Sequence, residues 1–258
     1  MTDPATCRFE LSDGIATITL DRPPVNAQNR RLRDELIRLF DACSDRDDVR
    51  CVVLTGAGGT FSAGADIKER VGLVQEPGDY IAHNRVTREF FYAPMDCLKP
   101  VICAANGPAI GAGFALMLSC DILLAADSCW VQMPELDVGL AGGAKFLSEH
   151  FSRSRARMMF FTGRRVPAAE LHRLGIVEEV MPRDALLPAA MAMAREIAQK
   201  SPVAVRQAKR SFNVVESMPY REAYRFEQTI TEDLSRTEDA KEAQRAFVEK
   251  RRPVFKGR

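Results

Sequence analysis

Residues 100–139 read PVICAANGPAIGAGFALMLSCDILLAADSCWVQMPELDVG, and the reading of this stretch decides the fold. No charged residue occurs between Val101 and Cys120. Asn106-Gly107-Pro108 and then Gly111-Ala112-Gly113 interrupt the run, a second apolar run spans Ile122 to Ala126, and a lone carboxylate follows in Pro134-Glu135. The pattern predicts a buried strand, a glycine turn, a buried helix, a second strand and an acid presented on a loop. The apolar run is also long enough to span a bilayer, and Gly107-x-x-x-Gly111 fits a helix-pairing motif. Proline at 108, however, removes a backbone donor and restricts its neighbour. What remains, Ala109 to Cys120, is too short to span, so a buried strand and helix are favoured and no membrane segment is expected.

Working outward, Cys7–Leu11 and Ile15–Leu20 are β-rich runs around Ser12-Asp13-Gly14, a hairpin signal. Arg22-Pro23-Pro24-Val25-Asn26 is a rigid loop, and Leu32, Leu36, Leu39, Phe40 and Cys43 mark one face of a helix. Cys51–Thr55 reads as a buried strand that runs into the glycine-rich loop Gly56–Asp66. Ile67 to about Tyr80 reads as a mobile, lid-like segment, and Tyr80–Cys97 as a helix. Past Gly142 helices dominate: Phe151–Thr162, Ala168–Leu174, Leu186–Ala198, Pro202–Val215, Pro219–Leu234 and Glu238–Lys250, with a brief strand at Ile176–Val180. Alternating strands and helices predict an α/β layered fold, with a core over residues 1–199 and a helical region over 200–258.

The chain of 258 residues carries a net charge of +1, which does not point to nucleic acid as a partner. Its seven cysteines are odd in number and scattered, without a CxxC pair. They fit reduced, buried thiols of a cytoplasmic protein better than a disulfide framework. The N-terminus MTDPATCRFELSDG has no apolar core for a signal peptide.

Several motifs invite chemistry and lack a necessary part. Gly107-x-x-x-Gly111-x-Gly113 after a strand resembles a dinucleotide-binding turn, but it lies mid-chain and no Tyr-x-x-x-Lys pair accompanies it. Gly59-x-x-x-x-Gly64 lacks the Lys-Ser/Thr of a phosphate loop. Ser62 is not set in Gly-x-Ser-x-Gly. His83, His150 and His172 have no metal-ligand spacing and read as surface or capping residues; no metal is expected. Arg153, Arg155, Arg157, Arg164 and Arg165 form a basic run without aromatic interleaving, more often a solvated face than an RNA site. Glu135 alone would be an ordinary turn residue. Two glycine-rich turns, each able to offer bare backbone N–H groups, make it a candidate base.

Taken together these residues resemble the crotonase (enoyl-CoA hydratase/isomerase) superfamily. The matching segments are Phe61–Lys68, Asn106–Gly113, Met133–Leu140, Thr162–Arg165 with Leu174–Val177, and Phe247–Lys256, in order along nearly the whole chain. The resemblance implies a crotonase-like spiral of ββα units with a CoA site, a C-terminal helical trimerisation region over 200–258, and homotrimers or dimers of trimers. It implies acyl-CoA substrates, with coenzyme A as part of the substrate and no separate cofactor. By family position, the amides of Ala65 and Ala112 are the oxyanion-hole donors and Glu135 the catalytic acid. Pro24, Val25, Ala63, Asp66, Ile67, Lys68 and Gly111 are expected around CoA or the acyl group, with Phe255 and Lys256 reaching CoA from a neighbouring subunit. Two departures stand out. Hydratases of the family carry two glutamates, and the first position is Ala115 here. Asp137 is an extra acid, an auxiliary group or a loop cap. Dienoyl-CoA isomerases place aspartates where this chain has Ala115 and Gly143, so that reaction is disfavoured.

The chemistry follows from these residues. Two amide donors stabilise the enolate formed when a proton leaves the carbon beside a thioester carbonyl, one such donor being worth about 10²–10³ in rate. A carboxylate in an apolar pocket becomes a better base near neutral pH. One carboxylate suffices to remove a proton at one carbon and return it at another, which moves a double bond; addition of water calls for a second group to hold it. Double-bond isomerisation is therefore expected somewhat ahead of hydration. Thioester hydrolysis, decarboxylation, and a catalytically silent CoA- or RNA-binding role are the alternatives.

Overall fold

The computed structural model describes residues 5–258; the first four residues of the N-terminal stretch, read above as free of a signal peptide, lie outside them. β1 (Cys7–Ser12) and β2 (Ile15–Leu20) form the expected hairpin; α1 (Arg30–Asp45), β3 (Cys51–Gly56), α2 (Ile67–Arg70), α3 (Asp79–Asp96) and β4 (Val101–Ala105) follow. Next come β5 (Ala109–Ile110), α4 (Ala112–Leu118), β6 (Ile122–Ala126), β7 (Trp130–Gln132) and a single 3-10 turn over Glu135–Val138. Then come α5 (Ala144–His150), α6 (Arg153–Thr162), β8 (Val166–Pro167), α7 (Ala168–Arg173), β9 (Glu179–Met181) and α8 (Arg183–Ala198). The helices α9 (Pro202–Val215), α10 (Tyr220–Ser235) and α11 (Glu238–Val248) close the chain.

The main sheet has the order β1-β2-β3-β4-β6-β9, antiparallel only between β1 and β2. The inner strands β4 and β6 are apolar at every position, and β3 from Cys51 to Leu54, because both faces are covered. Side chains alternate across the sheet. Val52, Leu54, Val101, Cys103 and Leu123 face the large core with α1, α3 and α4, while Cys51, Val53, Ile102, Ala104 and Leu124 face α8. Leu186, Ala190 and Ala194, four residues apart, are the buried stripe of α8. The short second sheet, β5-β7-β8, carries the strands that flank the acid.

The opening stretch therefore divides as expected into strand, turn, helix and strand, but with two changes. The helix is only seven residues long, because Ala109 and Ile110 are drawn into a two-residue strand against β7. Glu135 sits on a 3-10 turn and not on an irregular loop. No helix among the described residues is long and apolar enough to cross a membrane. All seven cysteines are free and buried. The C-terminal helices are tied to the core through Lys209, whose buried ammonium donates to the carbonyls of Pro94 and Lys99 and pairs with Asp121 at 2.8 Å.

Candidate active site

Two glycine-rich loops, 56–66 and 106–113, lie backbone against backbone. Ile110 N–H donates to Ser62 O at 3.0 Å, and the amides of Phe61 and Ser62 both donate to Pro108 O. The approach is close enough to require glycine: a Cβ on Gly113 would fall on the Ser62 carbonyl, and one on Gly107 on that of Gly59. These contacts give the glycines a structural reason independent of any phosphate, and the dinucleotide resemblance has no further support.

Buried amide side chains clip the loops in register. Asn26 Nδ2 donates to the carbonyls of Ala57, Thr60 and Phe61. Gln28 Nε2 donates to Ser62 Oγ at 3.2 Å and to Ala112 O at 3.1 Å, and Ser62 Oγ donates to Asn26 O. Asn106 takes the Gly56 amide and donates to Gly58 O. Sequence reasoning did not single out Asn26, Gln28 or Asn106 as positioning groups, and it treated Ser62 only as a failed nucleophile.

The two amides named for the oxyanion come from neighbouring points on these loops. Ala65 pairs with Gln28 through the bonds Gln28 N–H to Gly64 O and Asp66 N–H to Gln28 O, which leave the Ala65 N–H without an acceptor among the described residues. Ala112 is the first residue of α4, where a helix N–H has no partner within the helix. A Cβ on Gly64 would lie 3.2 Å from Ala112 N, so the loops bring the two segments into contact.

Glu135 closes the arrangement. Gly111, at φ +51°, leaves room for it: a Cβ there would stand 2.6 Å from Glu135 Oε1. Glu135 Oε2 is buried without a hydrogen-bond partner. Burial pushes the carboxyl above the usual range; its own backbone amide and the Arg70 charge pull it back only in part. Asp137, two residues on, is exposed and lies beside Gly163, whereas Glu135 lies beside Gly111. Ala115 is buried in α4, and Gly143 packs against the Met133 methyl.

The residues expected around CoA are placed as follows. Ala63 N–H donates to Val25 O at 2.9 Å, next to the cis Pro23–Pro24 bond, so Pro24, Val25 and Ala63 share one edge of the site. Asp66 pairs with Arg22 at 2.7 Å and caps α2 by accepting from Lys68 N–H. Ile67 and Lys68 are exposed on α2. Phe255 and Lys256 lie in the tail, where buried Asp239 accepts the Lys256 and Gly257 amides. The segment after Asp66, read as a lid, forms α2 and a turn, and with Val138 and Leu140 it walls a cleft of about 270 Å³ that includes Arg70. His150 and His172 cap backbone carbonyls, while His83 lies beside buried Arg33. No cluster able to hold a metal occurs among the described residues. The basic run is partly spent: Arg155 pairs with Glu170 and Arg165 stacks on Trp130.

A parallel-sheet spiral carrying two apposed glycine turns and one half-buried glutamate defines a protein of the crotonase superfamily. The family model for enoyl-CoA hydratase/isomerase matches residues 10–258, and the chain belongs to that family, whose substrates are CoA thioesters. A crystal structure of enoyl-CoA hydratase from Bacillus anthracis superposes with a TM-score of 0.92 at 32% identity, covering 98% of this chain and 100% of that one. A relative from Mycobacterium tuberculosis, named (7aS)-7a-methyl-1,5-dioxo-2,3,5,6,7,7a-hexahydro-1H-indene-carboxyl-CoA hydrolase, is 36% identical over 240 residues, 92% of this chain and 96% of the relative. Carnitinyl-CoA dehydratase from Citrobacter koseri is 34% identical over 257 residues, 95% of each chain.

Proposed function

We propose that this enzyme forms an enolate from an acyl-CoA thioester and moves one proton with Glu135. The amides of Ala65 and Ala112 hold the thioester oxygen as charge develops on it. Glu135 takes a proton from one carbon and returns it at another, so that double-bond isomerisation runs ahead of hydration. The observation that carries this reading is a desolvated carboxyl with an unpartnered oxygen, facing Gly111, in a chain with Ala115 where a second glutamate would hold water. Pro24, Val25, Ala63, Asp66, Ile67, Lys68 and Gly111 contact CoA or the acyl group. Phe255 and Lys256 act from a neighbouring subunit of a homotrimer or dimer of trimers, assembled through residues 200–258 on the core of 1–199. No cofactor beyond the substrate's CoA is needed, and the free buried cysteines favour the cytoplasm.

Glu135→Gln should abolish turnover of enoyl-CoA esters while CoA-ester binding persists; retained turnover refutes the assignment. Ala115→Glu should raise hydration of a short enoyl-CoA. Thioester hydrolysis is the second reading, favoured by the hydrolase named among the relatives. Product analysis on a panel of acyl-CoAs separates the two.

A further inference from the structure

The cleft next to the turn that carries Glu135 is walled by Ile67, Val71, Leu73, Val74, Tyr80, Val138 and Leu140, and it also contains Arg70, whose charge is felt by the Glu135 carboxyl. The Arg70 side chain makes no hydrogen bond or ion pair with any described residue, and its Nε is buried. Behind it lies Arg33, 2% exposed, whose Nε is also buried and unpartnered. Arg33 donates to Thr87 Oγ1 at 3.0 Å and has no carboxylate of its own. Burial and the Arg70 charge hold Arg33 down at about 10, the Glu69 and Asp34 carboxylates pulling back only in part, and burial together with Arg33 and Arg70 holds His83 down at about 4, so His83 adds no positive charge and offers no anion. The two guanidiniums thus lie close enough to repel, neighbouring carboxylates offset this only in part, and each has a buried Nε without an acceptor. A native chain rarely leaves such groups unpaired without a use, and a guanidinium in this state is matched by a planar, bidentate carboxylate.

We propose that Arg70, backed by Arg33, anchors a carboxylate carried on the acyl chain, so that the preferred substrates are CoA monothioesters of short dicarboxylic acids. The inference rests on the acyl-CoA reading above and names the substrate class for that site. The apolar walls hold the methylene chain between the thioester at Glu135 and the charge at Arg70. An anion there also relieves the repulsion between Arg70 and Arg33 and offsets the positive charge felt by Glu135, which coupling makes the base stronger when the matching substrate is bound.

The test is calorimetric binding of glutaryl-CoA and adipyl-CoA against pentanoyl-CoA and hexanoyl-CoA, with free CoA as reference, to the full-length protein and to Arg70→Leu and Arg70→Lys. The wild type is expected to bind at least one carboxyl-bearing ester about tenfold to a hundredfold more tightly than its chain-matched neutral partner. Arg70→Leu should erase that preference and Arg70→Lys should keep only part of it, while the thermal midpoint of Arg70→Leu stays level or rises, because an unpartnered buried donor has been removed. Equal binding of matched pairs by the wild type overturns the proposal. So does an equal loss of free-CoA binding in Arg70→Leu, which would assign the arginine to the CoA phosphates. Preferential binding of the carboxyl-bearing esters, with no turnover of their unsaturated enoyl counterparts, would leave this inference standing and overturn the role of Glu135. Failure of all five compounds to bind overturns both.

Discussion

The Gly113→Ala variant tests whether the contact between the two loops sets the catalytic geometry. A Cβ at 113 would fall on the Ser62 carbonyl oxygen and stand 2.9 Å from both the Ser62 carbonyl carbon and its Cβ. Ordinary carbon–carbon contacts lie at about 3.5–4.0 Å, so the loops must part by about 1 Å. Ser62 cannot yield alone, because its Oγ, N–H and C=O are bonded to Asn26, Pro108 and Ile110. Alanine would by itself favour the helix by about 1 kcal/mol over glycine, so any loss comes from the collision. Overpacking of this kind costs about 1–3 kcal/mol. Because Ala65 and Ala112 ride on opposite sides of the contact, the same displacement should lower kcat/KM by about 100-fold. Gly59→Ala, in the same loop but with no atom within 4 Å of its Cβ, is the control and should stay within about twofold of wild type. Steady-state kinetics and thermal melts of the two variants decide the matter. Wild-type kcat/KM in Gly113→Ala, or an equal loss in Gly59→Ala, would refute the reasoning.

Three further outcomes are expected. Glu135 has a folded-state pKa above its unfolded value, so its contribution to stability is present at low pH and lost as pH rises through the folded pKa; at neutral pH, Glu135→Gln should therefore be more stable by about 1 kcal/mol, with a midpoint roughly 2–4 °C higher. That gain should vanish in melts at pH below the unfolded carboxylate range. The acidic limb of kcat/KM should lie above the ordinary glutamate range and move to still higher pH in Arg70→Leu, since the variant removes a charge that lowers the Glu135 pKa; a shift to lower pH would contradict the electrostatic account. Lys209→Met should cost about 3 kcal/mol in a denaturant melt, because it strands the Asp121 carboxylate and two carbonyls behind α9.

Much of the loop architecture around Glu135 was legible in the sequence, for a physical reason. Glycines that allow backbone contact cannot be replaced by any side chain, and a lone acid after two apolar strands stands out against its surroundings. The hairpin, the buried parallel strands and the long amphipathic helices were readable because each repeats a period over several residues. β5 and β8, two residues each, are too short to show any period, and they exist only because the loops around them pair. That is also why α4 is shorter than the apolar run suggests. The clamps made by Asn26, Gln28 and Asn106 were not legible, since each joins segments distant in sequence through a side chain and a carbonyl.

Arg33 shows the limit most sharply. It stands one position from Leu32, on a helix whose leucine stripe was read correctly, and an arginine there reads as solvent-facing. Its burial follows from α3, which brings Phe90, Thr87 and His83 over that flank of α1. Arg70 likewise falls in a polar stretch whose shape no local pattern predicts. Only when α2 folds against Val138 and Leu140 does its cation enter the cleft and come near enough to Glu135 to be felt by its carboxyl. The family signatures thus mark the segments that the fold brings together, two glycine loops and the turn bearing Glu135, because those demand particular backbone geometry. On the reading proposed above, selection among acyl groups falls to side chains such as Arg70, which only the tertiary fold brings into the cleft.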